Sequence, residues 1–157
     1  MIDDHESHRP LGLLLRLAYQ QWTQAVESAL ADAGFGDIHP PHANVFTFVR
    51  PSGIPVSELS KLSHVRKQTM AQVVDELEQL GYVERRPDPN DRRSRLVFLT
   101  RRGEAVRPVT MAASRRVEAR WSKLMGPADL EALRQSLQTL LALLDETPAA
   151  EKRTRST

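Results

Sequence analysis

The chain has 157 residues, 40% hydrophobic and 5% aromatic, with 22 Lys/Arg against 20 Asp/Glu. That length suits one compact domain with helical extensions. The absence of cysteine excludes disulfides, thiolate catalysis, cysteine-ligated metal and thiol redox sensing.

The opening MIDDHESHRP is acidic and polar and does not read as a secretory signal. Leu11, Leu14, Leu15, Ala18, Trp22, Ala25 and Ala29 then recur at helical spacing and predict a long first helix, stopped at Gly34 and Gly36. After His39-Pro40-Pro41, Ala43 to Val49 reads as a second helix. Pro55 to Leu62 reads as a short third one. A tight connection through Ser63-His64-Val65 leads to a fourth helix that starts with Arg66 and Lys67 and ends at Leu80-Gly81. Its apolar stripe is Met70, Val73, Val74, Leu77 and Leu80.

Two strands follow, about Tyr82–Arg86 and Arg95–Leu99, joined by a tip over Pro87–Ser94. Thr100 is a plausible N-cap for a fifth helix, which Pro108 should kink or delay. Gly126-Pro127 separates a last helix carrying a leucine seam, and the tail EKRTRST reads as frayed. No apolar run approaches the roughly 18 residues of a membrane span. A soluble, cytoplasmic protein without a membrane partner is therefore expected.

Two short helices joined tightly, with a hairpin directly after the second, describe a winged helix-turn-helix. The fold class expected is mainly α with a small β-hairpin wing, flanked by N- and C-terminal dimerisation helices. In numbers, residues 1–36 with 126–149 form the dimerisation helices and 37–100 the winged helix-turn-helix. Residues 101–125 form a long connecting helix and 150–157 the tail.

Charge placement sharpens the functional reading. From His64 to Arg102 there are nine Lys/Arg and six Asp/Glu, within a chain whose net charge is only +2. The fourth helix carries bases at its start and Asp75, Glu76 and Glu78 in its later half. This order opposes the helix dipole, at about 0.3–1 kcal/mol per exposed charge. It makes sense if the basic end faces phosphates and the acidic end turns away. Lys67, Gln68, Ala71 and Gln72 suit major-groove reading, since Gln pairs with adenine, Lys with guanine, and the Ala methyl packs on thymine's. On the hairpin, Arg92 and Arg93 would lead into a minor groove, with Arg86 and Arg95 near phosphates. Asp91 would clamp a guanidinium in a fixed direction. A solvated helix face and a salt-bridged hairpin are the alternative readings, and they explain the charges but not their clustering.

VSELSKLSHVRKQTMAQVVDELEQLGYVERRPDPNDRRSRLVFLTRRG resembles the winged-helix segment of the MarR family of bacterial transcriptional regulators. The most specific stretch is DELEQLGYVERRPDPNDRRSRLVFLT. The resemblance implies a homodimer on a pseudo-palindromic operator in double-stranded DNA, with its terminal helices interlocked. It implies a repressor relieved by a small aromatic or phenolic effector. It maps the groove-reading face to Lys67, Gln68, Ala71 and Gln72, beside Arg66, and the wing-tip arginine held by Asp91 to Arg93. The chain departs from the family at Arg66, where Ser or Thr usually caps, at Ser63, where an apolar residue is usual, and at Pro108.

Dimerisation would use Leu11, Leu14 and Leu15 with Leu133, Leu137, Leu140 and Leu144, although these faces could instead fold back on one monomer. Effector liners would be Trp22, His42, Phe46 and Arg115, each of which also reads as ordinary core or surface. His39 and His42, like His5 and His8, lie three apart, but two histidines do not make a zinc site. No metal and no cofactor are expected. No nucleophile elbow, phosphate loop or zinc-protease motif is present, so no enzyme is expected. The competing reading is a winged helix that docks proteins without sequence-specific DNA binding.

Overall fold

A computed structural model describes residues 9–146. The chain forms two compact units whose described parts are 9–115 and 116–146, so the boundary falls inside the fifth helix. His5, His8 and the expected tail lie outside the described residues.

In the first unit, helix α1 spans Leu11–Asp32. Only Gly34 of the two expected stop glycines takes a positive φ, +87°. It lets the Phe35 amide turn back onto the Leu30 carbonyl at 2.8 Å. Proline at the first position sets a 3-10 turn over Pro40–His42, and α2 follows directly as Ala43–Phe48. Strand β1 is only Ile54–Pro55, α3 is Val56–Leu62 and α4 is Lys67–Gln79. The hairpin consists of β2, Val83–Asp88, and β3, Asp91–Leu99. Helix α5, Arg101–Met125, then crosses from the first unit into the second.

The sheet has the order β1-β3-β2, all antiparallel. Ile54 pairs with Val97, and Val83 with Leu99. Around it the core gathers Val45 and Phe46 of α2, Leu59 of α3, Met70, Val74 and Leu77 of α4, Tyr82, Val97 and Val106. The stripe read from the sequence of α4 is this buried face; Leu80, at its end, is half-buried.

Several boundaries differ from the sequence expectations. The strands extend to Asp88 and Asp91, leaving only Pro89-Asn90 as the turn. The outer half of the ribbon is largely exposed, so no apolar alternation marks it, and its register is broken: Pro87 pairs with Arg95 and Asp88 with Asp91, which leaves Arg92–Ser94 as a bulge without ladder partners. Strand β1 has no counterpart in the sequence reading, because two residues ending in proline carry no periodicity. Arg66 is the N-cap of α4, with φ −58° and ψ 141°, rather than a member of its first turn. Pro108 sits within a continuous α5 and does not delay its start. Thr100 does cap α5, its Oγ1 accepting the Gly103 amide at 3.2 Å.

In the second unit, α6 runs over Pro127–Glu146, with proline again at the first position after Gly126. None of its described residues is fully buried. No helix among the described residues is long and apolar enough to cross a membrane.

Candidate nucleic-acid interface

The α3–α4 turn is built by short side chains acting on the backbone. Ser60 Oγ donates to the Val65 carbonyl at 2.6 Å, and the Val65 amide donates to the Ser60 carbonyl at 3.1 Å. Ser63, a departure from the apolar residue usual in the family that the sequence resembles, donates its hydroxyl to the Leu59 carbonyl at 2.6 Å and so closes the end of α3. His64 between them takes a φ of +53°, a conformation that His tolerates better than bulky residues.

Helix α4 leaves this turn with Arg66, Lys67, Gln68, Thr69 and Gln72 exposed and Ala71 half-buried. Thr69 shares the outward face with Gln68 and Gln72 through its i+3 relation to Gln72. The sequence reading missed it. Its only signal was its place directly before Met70, the first stripe position.

The acids of α4 have partners of their own. Asp75 and Glu78 both bind the Arg85 guanidinium, at 2.6 and 2.5 Å, and Glu78 also accepts the Arg85 amide at 3.0 Å. Burial works against the Arg85 charge, but the hydrogen bonds to the two carboxylates outweigh it and raise its pKa. Glu76 lies 3.1 Å from Nε2 of the buried His42, whose Nδ1 accepts the His39 amide at 3.0 Å. A tautomer with its proton on Nε2 satisfies both contacts.

The same holds across the whole head. Between residues 37 and 100 there are eight carboxylates, and every one has a protein partner. Besides the three on α4, Glu58 binds Arg50 and Glu84 binds Arg86. Asp37 binds Tyr82 and Arg102. Asp88 accepts the Asn90 amide and Asp91 the Arg93 amide, at 2.9 and 3.0 Å. Asp91 therefore shapes the turn backbone; the expected clamp on the Arg93 guanidinium is replaced by this amide contact.

Arg86, expected near phosphates, is instead paired with Glu84 and stacked 4.5 Å over the Phe98 ring. Phe98 in turn lies against Gly53, whose φ is +78° and where any added Cβ would meet the ring at 2.5 Å. Lys61, Arg66, Lys67, Arg92, Arg93 and Arg95 are all exposed. Among the described residues none of them has a carboxylate within ion-pairing distance. Lys61, in the last turn of α3, was not singled out from the sequence, where it is one lysine in a polar stretch.

The expected effector liners differ in burial. His42 is buried with both ring nitrogens engaged. Phe46 is buried edge-on to Tyr82, with ring centroids 5.9 Å apart. Trp22 is half-buried and Arg115 exposed. His39 and His42 rings lie 5.7 Å apart, but His42 has no lone pair left for a metal. Of the expected dimer residues, Leu11, Leu14 and Leu15 are exposed on α1. On α6, Leu133, Leu140 and Leu144 are exposed and Leu137 is half-buried.

A family model described as the MarR family matches residues 37–94. The Transcriptional activatory protein BadR of Rhodopseudomonas palustris is 31% identical over 94 residues, covering 60% of this chain and 53% of BadR. The Multiple antibiotic resistance protein MarR of Salmonella typhimurium is 33% identical over 98 residues, covering 62% of this chain and 66% of that protein. The chain thus spans about half the length of one curated relative and just under two thirds of the other. A crystal structure of MarR superposes with a TM-score of 0.73 at 25% identity, covering 88% of this chain and all of that one. A mutant MarR from E. coli complexed with operator DNA superposes with a TM-score of 0.72 at 27% identity, covering 84% and 94%.

Proposed function

We propose, for a chain that belongs to the MarR family of transcriptional regulators, that α4 and the β2–β3 hairpin bind an operator in double-stranded DNA and that the protein acts there as a homodimer. One observation carries this reading. Among the described residues, six exposed cations of the head have no carboxylate in ion-pairing range, while every carboxylate between 37 and 100 has another partner. A cluster of exposed cations with no carboxylate in ion-pairing range suits a polyanion. A protein-docking wing has no need of it.

In this reading Gln68, Thr69 and Gln72 lie against base edges in the major groove, with Lys67 beside them. Arg92, Arg93 and Arg95 follow the adjacent minor groove and its phosphates. Lys61 and Arg66 hold the backbone on either side of the turn. The dimer doubles the half-site, and the exposed leucines of α1 and of α6 supply its apolar surface. Repression follows where the operator overlaps the promoter, by occlusion. BadR is an activatory protein by name, so the position of the operator sets the sign. The reading places the protein in the cytoplasm, as a binding protein rather than an enzyme. Relief by a small aromatic or phenolic effector belongs to this reading; of its expected liners, His42 and Phe46 are buried in the fold, Trp22 is half-buried and Arg115 exposed.

Binding isotherms at several salt concentrations test the proposal. Arg93→Ala and Arg66→Ala should each reduce the salt slope by about one phosphate. Gln68→Ala should relax preference at one base pair per half-site, at about 1–3 kcal/mol. Unchanged slopes for both arginine variants would remove the interface from this face.

A further inference from the structure

The winged head is entered from α1 through residues 33–39 and left at Thr100 into α5, and both passages meet the end of α4. Arg102, in the first turn of α5, places its two terminal nitrogens on three groups. Nη1 donates to the Leu80 carbonyl, the C-cap of α4, at 2.8 Å. Nη2 donates to Asp37 Oδ2 at 3.1 Å and to the Tyr82 hydroxyl at 3.0 Å. The Tyr82 hydroxyl donates in turn to Asp37 Oδ1 at 2.5 Å, and the guanidinium lies 4.3 Å over the Tyr82 ring. Tyr82 is fully buried.

Around this node the backbone is locked as well. The Thr100 amide and hydroxyl bind the Tyr82 and Gly81 carbonyls at 3.0 and 2.6 Å. Gly103 has no room for a Cβ against the Tyr82 carbonyl. The same guanidinium therefore ties the segment after α1, the cap of α4 and the start of α5. Its positive charge also sits at the negative end of the α4 dipole.

We propose that Arg102, with Asp37 and Tyr82, is a positioning set that fixes the direction of α4 against α1 and the first turns of α5. Arg102 touches no base in this role. It acts through the Leu80 carbonyl and Asp37 on where the α4 reading face points. Lysine cannot replace it, because a point charge lacks the planar fork and the stacking face.

The absence of cysteine makes the test direct. Gln24→Cys on α1 and Gln79→Cys on α4, both exposed positions, take nitroxide labels at no other site. Dipolar spectroscopy on the full chain, diluted with unlabelled chain, reads the distance distribution between the two helices. A single narrow distribution is expected, and Arg102→Lys or Asp37→Asn should broaden it. An unchanged width in both variants overturns the inference.

A second arm rests on the operator reading and uses the DNA site selected by the wild type, with half-sites moved one base pair closer or farther. The variants should bind the native spacing about tenfold more weakly, the order of one lost base contact, while losing little at the altered spacings. Equal weakening at every spacing means a merely structural role and overturns the inference. A wild type that selects no DNA site sinks the operator reading alone, and the distance widths then decide this inference.

Discussion

Arg85 and Arg93 stand eight positions apart on one hairpin, and the fold gives them opposite work. Arg85 is mostly buried under Asp75 and Glu78; Arg93 is exposed with only its amide engaged. Arg85→Ala should cost about 1–2 kcal/mol in denaturant unfolding, because charged hydrogen bonds are lost between half-covered partners. Arg93→Ala should stay within about 0.5 kcal/mol of the parent, as surface substitutions do. Tyr82 offers a pH test of the node beneath α4. Burial first, then the hydrogen bond to Asp37, push its pKa from 10.0 up to about 12. Between those values the folded chain keeps a proton that the unfolded chain has released. Stability should therefore be intact below pH 10 and fall above it, by roughly 1.4 kcal/mol per pH unit. The part of that slope that Tyr82 contributes should vanish in Tyr82→Phe; an identical slope in the variant would place the titration elsewhere.

At the scale of elements, α4 was legible because its buried face repeats at helical spacing through Met70, Val73, Val74 and Leu77. The hairpin was legible where Leu96–Leu99 is apolar and illegible where it is not, since the exposed tip carries no hydrophobic period and Arg92–Ser94 bulge out of the ladder. Strand β1 had no length to show. The partners of Asp75, Glu76 and Glu78 could not be read locally, because Arg85 and His42 reach them only through the tertiary fold. The reversed charge order along α4 was visible in the sequence; that its acids brace the hairpin and the 3-10 turn was not. The corner between α4 and α5 gives a sharp test. Gly103→Ala sets a Cβ against the backbone carbonyl of Tyr82, which has no rotamer to move away. It should destabilise by about 1–3 kcal/mol, measured as a shift in denaturant midpoint at constant slope. A neutral substitution would show that the corner yields.

For the molecule as a whole, two properties have to be reconciled with one function. The head presents exposed cations that have no carboxylate in ion-pairing range among the described residues. Each of the terminal helices, in its own unit, presents apolar side chains to solvent: Leu11 is 66% exposed on α1 and Leu144 60% exposed on α6. Apolar faces of this kind mark interaction surfaces, and a symmetric dimer would cover them while presenting two reading heads to a two-fold operator. The most direct measurement is selection of bound fragments from random DNA by the full chain. The expected result is an inverted repeat whose half-sites lie about one helical turn apart. Its enrichment should be lost in a variant carrying both Arg93→Ala and Gln68→Ala. Recovery of no common sequence, or of one that the double variant selects equally well, would contradict the assignment of α4 and the wing as the DNA-reading surface.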